Sequence, residues 1–175
     1  MREFCLSEES DKIYMVKVTS QPSLKALCFF DGDDERYRGE GSVQFTAYWP
    51  YGRNVEESVL STKTTTAAEG VEVLTKTLIL NNDGDISAHF TFSAEAGAQV
   101  SKLQFNSNNN IVTIEGIDIA SWDSKTGIVK NSAGDMISYT GDGLYKIPIG
   151  STTVIITYKP ILNKTLTLKY YNWYY

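Results

Sequence analysis

The segment Ile86-Ser87-Ala88-His89-Phe90-Thr91-Phe92-Ser93-Ala94 decides the fold class. Ile86, Ala88, Phe90, Phe92 and Ala94 are apolar, and the intervening Ser87, His89, Thr91 and Ser93 are polar. A period of two sends the first set to one side of an extended chain and the second to the other, which predicts a half-buried β-strand. The same alternation recurs at Val43, Phe45, Ala47 and Trp49, at Thr152, Val154, Ile156 and Tyr158, and at Leu166, Leu168 and Tyr170. Residues 13–19, 71–80, 98–105 and 111–117 add β-branched or aromatic runs that favour strands. Clusters rich in Asp, Asn and Gly at 31–35, 81–85, 106–110, 123–127 and 140–143 read as turns between them. Many strands, short turns and almost no 3.6-residue periodicity predict an all-β chain folded as an antiparallel β-sandwich or barrel. One helix is expected at most, at 66–72, where Gly70 weakens it.

The sheet-like stretch ending in Trp49, Pro50 and Tyr51 gives way to a polar, threonine-rich segment at 54–68. Such a change of composition marks a boundary, and the chain divides into 1–55 and 56–175. About fifty residues bury too little surface to hold a core alone, so the first part is expected to lean on the second or on another chain.

Sixteen Lys plus Arg against 21 Asp plus Glu give a net charge of −5, with no basic stripe for a phosphate backbone. Nucleic acid is not an expected partner. No apolar run approaches the ~20 residues of a membrane-spanning helix, and no membrane association is expected. The N-terminal stretch turns polar and acidic at once, unlike a secretory signal. Cys5 and Cys28 have neither the number nor the spacing of a disulfide framework or metal site and read as reduced thiols. Asn163-Lys164-Thr165 matches a glycosylation sequon by chance.

Motifs that carry chemistry are missing. The single histidine, His89, sits on the polar side of its strand without a glycine-bracketed serine. Counted from Asp31, a helix-loop-helix calcium site would need Gly and Glu where Arg36 and Ser42 stand; counted from Asn81, those positions hold Ile86 and Phe92. No phosphate-binding glycine loop occurs, and RGEGS at 38–42 lies between strands rather than before a helix. The expectation is a protein that is not an enzyme, with no catalytic residues, no cofactor and no metal.

Aromatics are the informative set. Eleven Tyr, seven Phe and three Trp gather at Phe45, Tyr48, Trp49 and Tyr51, and again at Tyr170, Tyr171, Trp173, Tyr174 and Tyr175. In a terminal strand, Tyr171, Trp173 and Tyr175 would alternate with Tyr170 and Tyr174, so both faces would carry rings. Rings with one polar tip suit a protein interface. The candidate interface residues are Trp49, Tyr51, Tyr171, Trp173 and Tyr175.

The order IYMVKVTSQPSL, YRGEGSVQFTAYWPYGRN, LNNDGDISAHF, DSKTGIVKN, GLYKIPIG and a terminus LKYYNWYY resembles the distal tail proteins of long-tailed, non-contractile bacteriophages and related prophages. The resemblance runs over essentially the whole chain. It implies a structural virion component, made in the bacterial host cytoplasm and built into the virion tail. It implies a homo-oligomeric hexamer ring that joins the tail tube and the tape-measure protein to the tail tip, baseplate or receptor-binding proteins. Residues 1–55 would be the C-terminal portion of the N-terminal ring-forming β domain, the stretch before Val59 matching only its second half. Residues 56–175 would be the galectin-like β-sandwich. A galectin-like shape raises an alternative, a carbohydrate-binding β-sandwich module. Against it, His89 is followed by Phe90, Thr91, Phe92 and Ser93 rather than by the asparagine and arginine of the galectin sugar site, and Trp122 lacks a polar set around it. Fold alone does not carry function.

Overall fold

The computed structural model describes the backbone of residues 2–6, 9–18, 23–31, 34–42 and 45–47, and both backbone and side chains of 52–54, 56–108 and 110–174. Among the described residues every regular element is a strand, and within each unit the paired strands are antiparallel. No helix long and apolar enough to cross a membrane is present among them. The chain forms two compact units, Met1–Val55 and Glu56–Tyr174.

In the first unit, β1 (Arg2–Leu6) runs along one edge of β2 (Glu9–Val18), and β5 (Phe45–Ala47) and β6 (Gly52–Asn54) pair with β2 as well. Between them in sequence, β3 (Ser23–Asp31) and β4 (Asp34–Ser42) form a two-stranded ribbon, in register from Ser23↔Ser42 to Asp31↔Asp34. Neither strand of the ribbon joins another sheet among the described residues.

The second unit has two sheets. The five-stranded sheet is ordered β13 (Ile128–Lys130), β12 (Ser121–Asp123), β9 (Phe90–Ala94), β15 (Thr165–Tyr170), β7 (Ser58–Lys63). The four-stranded sheet is ordered β11 (Asn110–Glu115), β10 (Val100–Ser107), β14 (Gly150–Tyr158), β8 (Leu74–Asn82). A last short strand, β16, covers Trp173–Tyr174.

The inward row of each strand enters one core. Phe90, Phe92, Trp122, Leu166 and Leu168 come from one sheet, and Leu103, Phe105, Val154, Ile156 and Tyr158 from the other. This is the alternation read from sequence. Phe90 and Phe92 are buried while Thr91 and Ser93 are exposed, and Thr152, Val154, Ile156 and Tyr158 are all buried. At the centre Phe90, Phe105, Trp122 and Tyr145 pack ring on ring. The Phe90 and Trp122 centroids lie 4.7 Å apart at 82°, and those of Phe105 and Trp122 5.6 Å apart at 83°. These are the edge-to-face geometries that aromatic quadrupoles prefer.

The segment 131–149 closes one side of the sandwich. It bridges back to β13 through Lys130↔Met136, to the end of β11 through Glu115↔Thr140, and to Ala88 through Ile147. Tyr139 donates its hydroxyl hydrogen to the Gly127 carbonyl (2.7 Å), and Trp122 Nε1 donates to the Gly143 carbonyl (2.8 Å). Gly141 meets the Thr113 carbonyl so closely, and at φ +117°, that no side chain fits there.

Three local expectations are corrected. Residues 66–72 form no helix: a stretch without regular structure leads to a turn at Glu69 and Gly70, the latter at φ +87°. Strand β8 begins at Leu74 rather than 71, and Val71 and Val73 are exposed before it. Strand β9 begins at Phe90 rather than Ile86, because the preceding turn is folded around Asn82 and only Ala88 reaches a bridge.

Candidate functional site

The interface expectation falls on five residues. Trp49, Tyr51 and Tyr175 lie outside the described residues. Tyr171 and Trp173 are described, and a fixed turn governs their surroundings. Asn82 is fully buried; its Nδ2 donates to the Ile86 carbonyl (2.9 Å) and the Ile147 carbonyl (3.2 Å), and its Oδ1 accepts from Gly84 N (3.1 Å). The turn so held presents Asp85 N, which donates to the Trp173 carbonyl at 2.7 Å. A Cβ on Gly84 would stand 2.4 Å from that same carbonyl, so glycine is what lets the two chain segments meet.

The terminal aromatics therefore do not form one continuous strand. β15 stops at Tyr170, Tyr171 and Asn172 lie between strands, and only Trp173–Tyr174 resumes the extended form. Trp173 is half-buried and packs on the core, and Tyr171 and Tyr174 are half-buried. Tyr170 is an inward residue whose hydroxyl donates to the Asn81 carbonyl at 2.7 Å. Burial raises the Tyr170 pKa above the ordinary tyrosine value, and the same cause raises that of Tyr145.

His89 gains a neighbour that no spacing in the sequence announces. Its Nδ1 lies 3.5 Å from Ser124 Oγ, and Asp123 is next in the chain. The resemblance to a nucleophilic serine ends there. Ser124 is fully buried, and its Oγ accepts the Phe90 amide hydrogen at 2.8 Å while Ser124 N donates to the Phe90 carbonyl. The hydroxyl extends the β9–β12 ladder and has no open approach for a substrate. Burial lowers the His89 pKa, and the nearby Lys146 and Lys125 act in the same direction. Among the described residues no three His, Cys, Asp or Glu side chains converge as a metal site requires.

Trp122 is 1% exposed, with its ring edge toward Phe90 and Phe105 and its N–H satisfied by Gly143. It has no free face on which a sugar ring could stack. On the opposite, solvent side of the same sheet, registers bring Thr91, Ser93, Ser121, Asp123 and Lys130 to a shallow concavity of about 390 Å³. Asp123 is engaged there by the β12–β13 turn, accepting from Lys125 N at 2.9 Å and from Thr126 Oγ1 at 2.9 Å. A second open basin of about 490 Å³ lies between the ends of β10 and β14, lined by Gln99, Ser101, Asp118, Ser132 and Lys159.

Compared with known protein families, curated proteins and solved structures, the chain matches none.

Proposed function

We propose that the chain is a structural component of a virion or prophage tail, a distal-tail hub that joins the tail tube to the tail tip or baseplate through subunit interfaces. The observation that carries this reading is the ordered series of sequence stretches, from IYMVKVTSQPSL to LKYYNWYY, that resembles distal tail proteins along the chain. The β3–β4 ribbon supports it. Nine residues on each side pair only with each other among the described residues, and an isolated two-stranded ribbon is marginal in water. Such a ribbon is stabilised when another surface covers it, as assembly provides. Exposed apolar side chains point the same way: Ile117 is 87% exposed, and Ile111, Met136 and Leu144 are exposed as well. A closed hexamer would hold every subunit on two sides, so that modest contacts add up to a stable hub.

In this reading the work is mechanical: rigid sheets transmit load between the tail tube and tape-measure end and the tip or receptor-binding proteins, and no bond is made or broken. Antibodies raised against the full chain test it by electron microscopy of tailed particles from an induced culture. Label confined to the distal end of the tail is the expected result, and label elsewhere or nowhere refutes it.

A second reading, a carbohydrate-binding module, has one observation in its favour. The concavity at Thr91, Ser93, Ser121 and Lys130 is rich in hydroxyls, which match polyhydroxylated ligands. The burial of Trp122 removes the aromatic platform on which that reading would otherwise rest.

A further inference from the structure

The free edge of β8 carries the next inference, which stands on the sandwich alone and does not depend on the tail reading. The segment 131–149 bridges to β11 and β13, whereas β8 ends the four-stranded sheet with no strand beyond it among the described residues. Over nine residues, alternate backbone N–H and C=O groups of β8 turn away from β14. Its outward row, Thr75, Thr77 and Ile79, is exposed and uncharged. Its inward row runs Leu74, Lys76, Leu78, Leu80, each opposite an inward residue of β14, with Lys76 facing Ile156.

Lys76 is the anomaly. Four lysines of this unit are half-buried: Lys76, Lys102, Lys164 and Lys169. Lys102 pairs with Glu115 at 2.8 Å, Lys164 with Glu95 at 3.1 Å and Lys169 with Glu57 at 3.2 Å. Lys76 has no ion-pair partner among the described residues, although it stands between Leu74 and Leu78 at the rim of the core. An ammonium group in that position selects what can pair with the edge. β8 itself, LTKTLILNN, contains no acid, so two copies paired within β8 set no carboxylate beside Lys76. An inward-pointing charge on an edge strand is a known guard against association of like edges.

We propose that the β8 edge accepts an extended segment of a different protein by antiparallel strand addition, and that Lys76 selects a segment carrying Asp or Glu on its inward row. The backbone ladder supplies affinity, and the carboxylate opposite Lys76 supplies choice.

The test uses the full chain and two synthetic nine-residue peptides of alternating threonine and valine. Both are N-methylated along one edge so that they cannot stack, and they differ only in Glu or Lys at the central inward position. Amide hydrogen exchange of β8 and fluorescence anisotropy of labelled peptide are the readouts. The Glu peptide is expected to protect alternate β8 amides and to bind about fivefold or more tighter than the Lys peptide. Lys76→Glu should invert that preference, and Lys76→Thr should abolish it while leaving the fold intact by circular dichroism. Equal binding of the two peptides by the natural chain, or binding without β8 protection, overturns the proposal. So does concentration-dependent self-association that protects β8 in the absence of peptide.

Discussion

Replacing Trp122 by phenylalanine tests whether this residue is core or binding surface. The indole is 1% exposed, its N–H donates to the buried Gly143 carbonyl at 2.8 Å, and it meets Phe90 and Phe105 edge to face. Phenylalanine keeps one ring in place, removes the donor and leaves a void where the second ring stood. A buried carbonyl left without its partner costs about 1–3 kcal/mol. The lost apolar volume adds ~1 kcal/mol, even where the smaller ring preserves part of the edge contacts. The sum, about 2–4 kcal/mol, is a large part of a typical domain stability of roughly 5–15 kcal/mol. In urea unfolding followed by far-ultraviolet circular dichroism, that loss lowers the midpoint by about 1–2 M at unchanged slope. A loss under about 1 kcal/mol would refute the packing argument. It would refute it more sharply if the variant also lost binding to a glycan panel, since Trp122 would then be serving a ligand.

Three further outcomes follow from the same geometry. Gly84→Ala forces a Cβ to within 2.4 Å of the Trp173 carbonyl, so the turn and terminal segment must separate; hydrogen exchange at Asp85 N should quicken and stability fall by about 1–3 kcal/mol. Asn82→Ala strips the Ile86 carbonyl and the Gly84 amide of their partner, while the Ile147 carbonyl keeps the Ala88 amide, and should cost about 2–3 kcal/mol in the same unfolding assay, with Asn82→Asp recovering only the Gly84 contact. His89 has a lowered pKa in the fold, so the unfolded chain binds the proton more readily. Stability is full above pH ~6.5 and declines as the pH falls below it toward the folded-state pKa, and a His89→Gln variant should flatten that limb of a pH series.

The sandwich was legible in sequence because each sheet buries one face. Phe90 and Phe92, and Leu166 and Leu168, alternate with polar residues for that reason, Val154 and Ile156 stand either side of the half-buried Ile155, and all six are core. Strand ends were less legible. Val71 and Val73 flank Glu72 with a period of two, but they fall on the odd-numbered row that β8 exposes at Thr75, Thr77 and Ile79, and Gly70 at φ +87° turns the chain just before them. Ile86 continues the apolar pattern of β9, yet the Asn82 side chain takes its carbonyl and draws it out of the ladder.

The features around the candidate sites were legible only in part. A cluster of terminal rings signals contact, but nothing local says that Trp173 packs inward; that depends on Gly84 and Asp85, some ninety residues earlier. Ser124 beside His89 and Gly143 beside Trp122 are likewise products of the register between distant strands. A half-buried Lys76 was hidden for a related reason. In sequence it is one lysine in a threonine-rich strand, and its lack of a carboxylate emerges only once Lys102, Lys164 and Lys169 are seen to have theirs.

Quantitative mass spectrometry of purified particles from an induced culture decides whether the proposed hub is built into a tail. A hub of the proposed kind predicts this chain's peptides at about six copies per tail, in line with a closed ring. Absence of those peptides from particles that contain the tail-tube protein would contradict it.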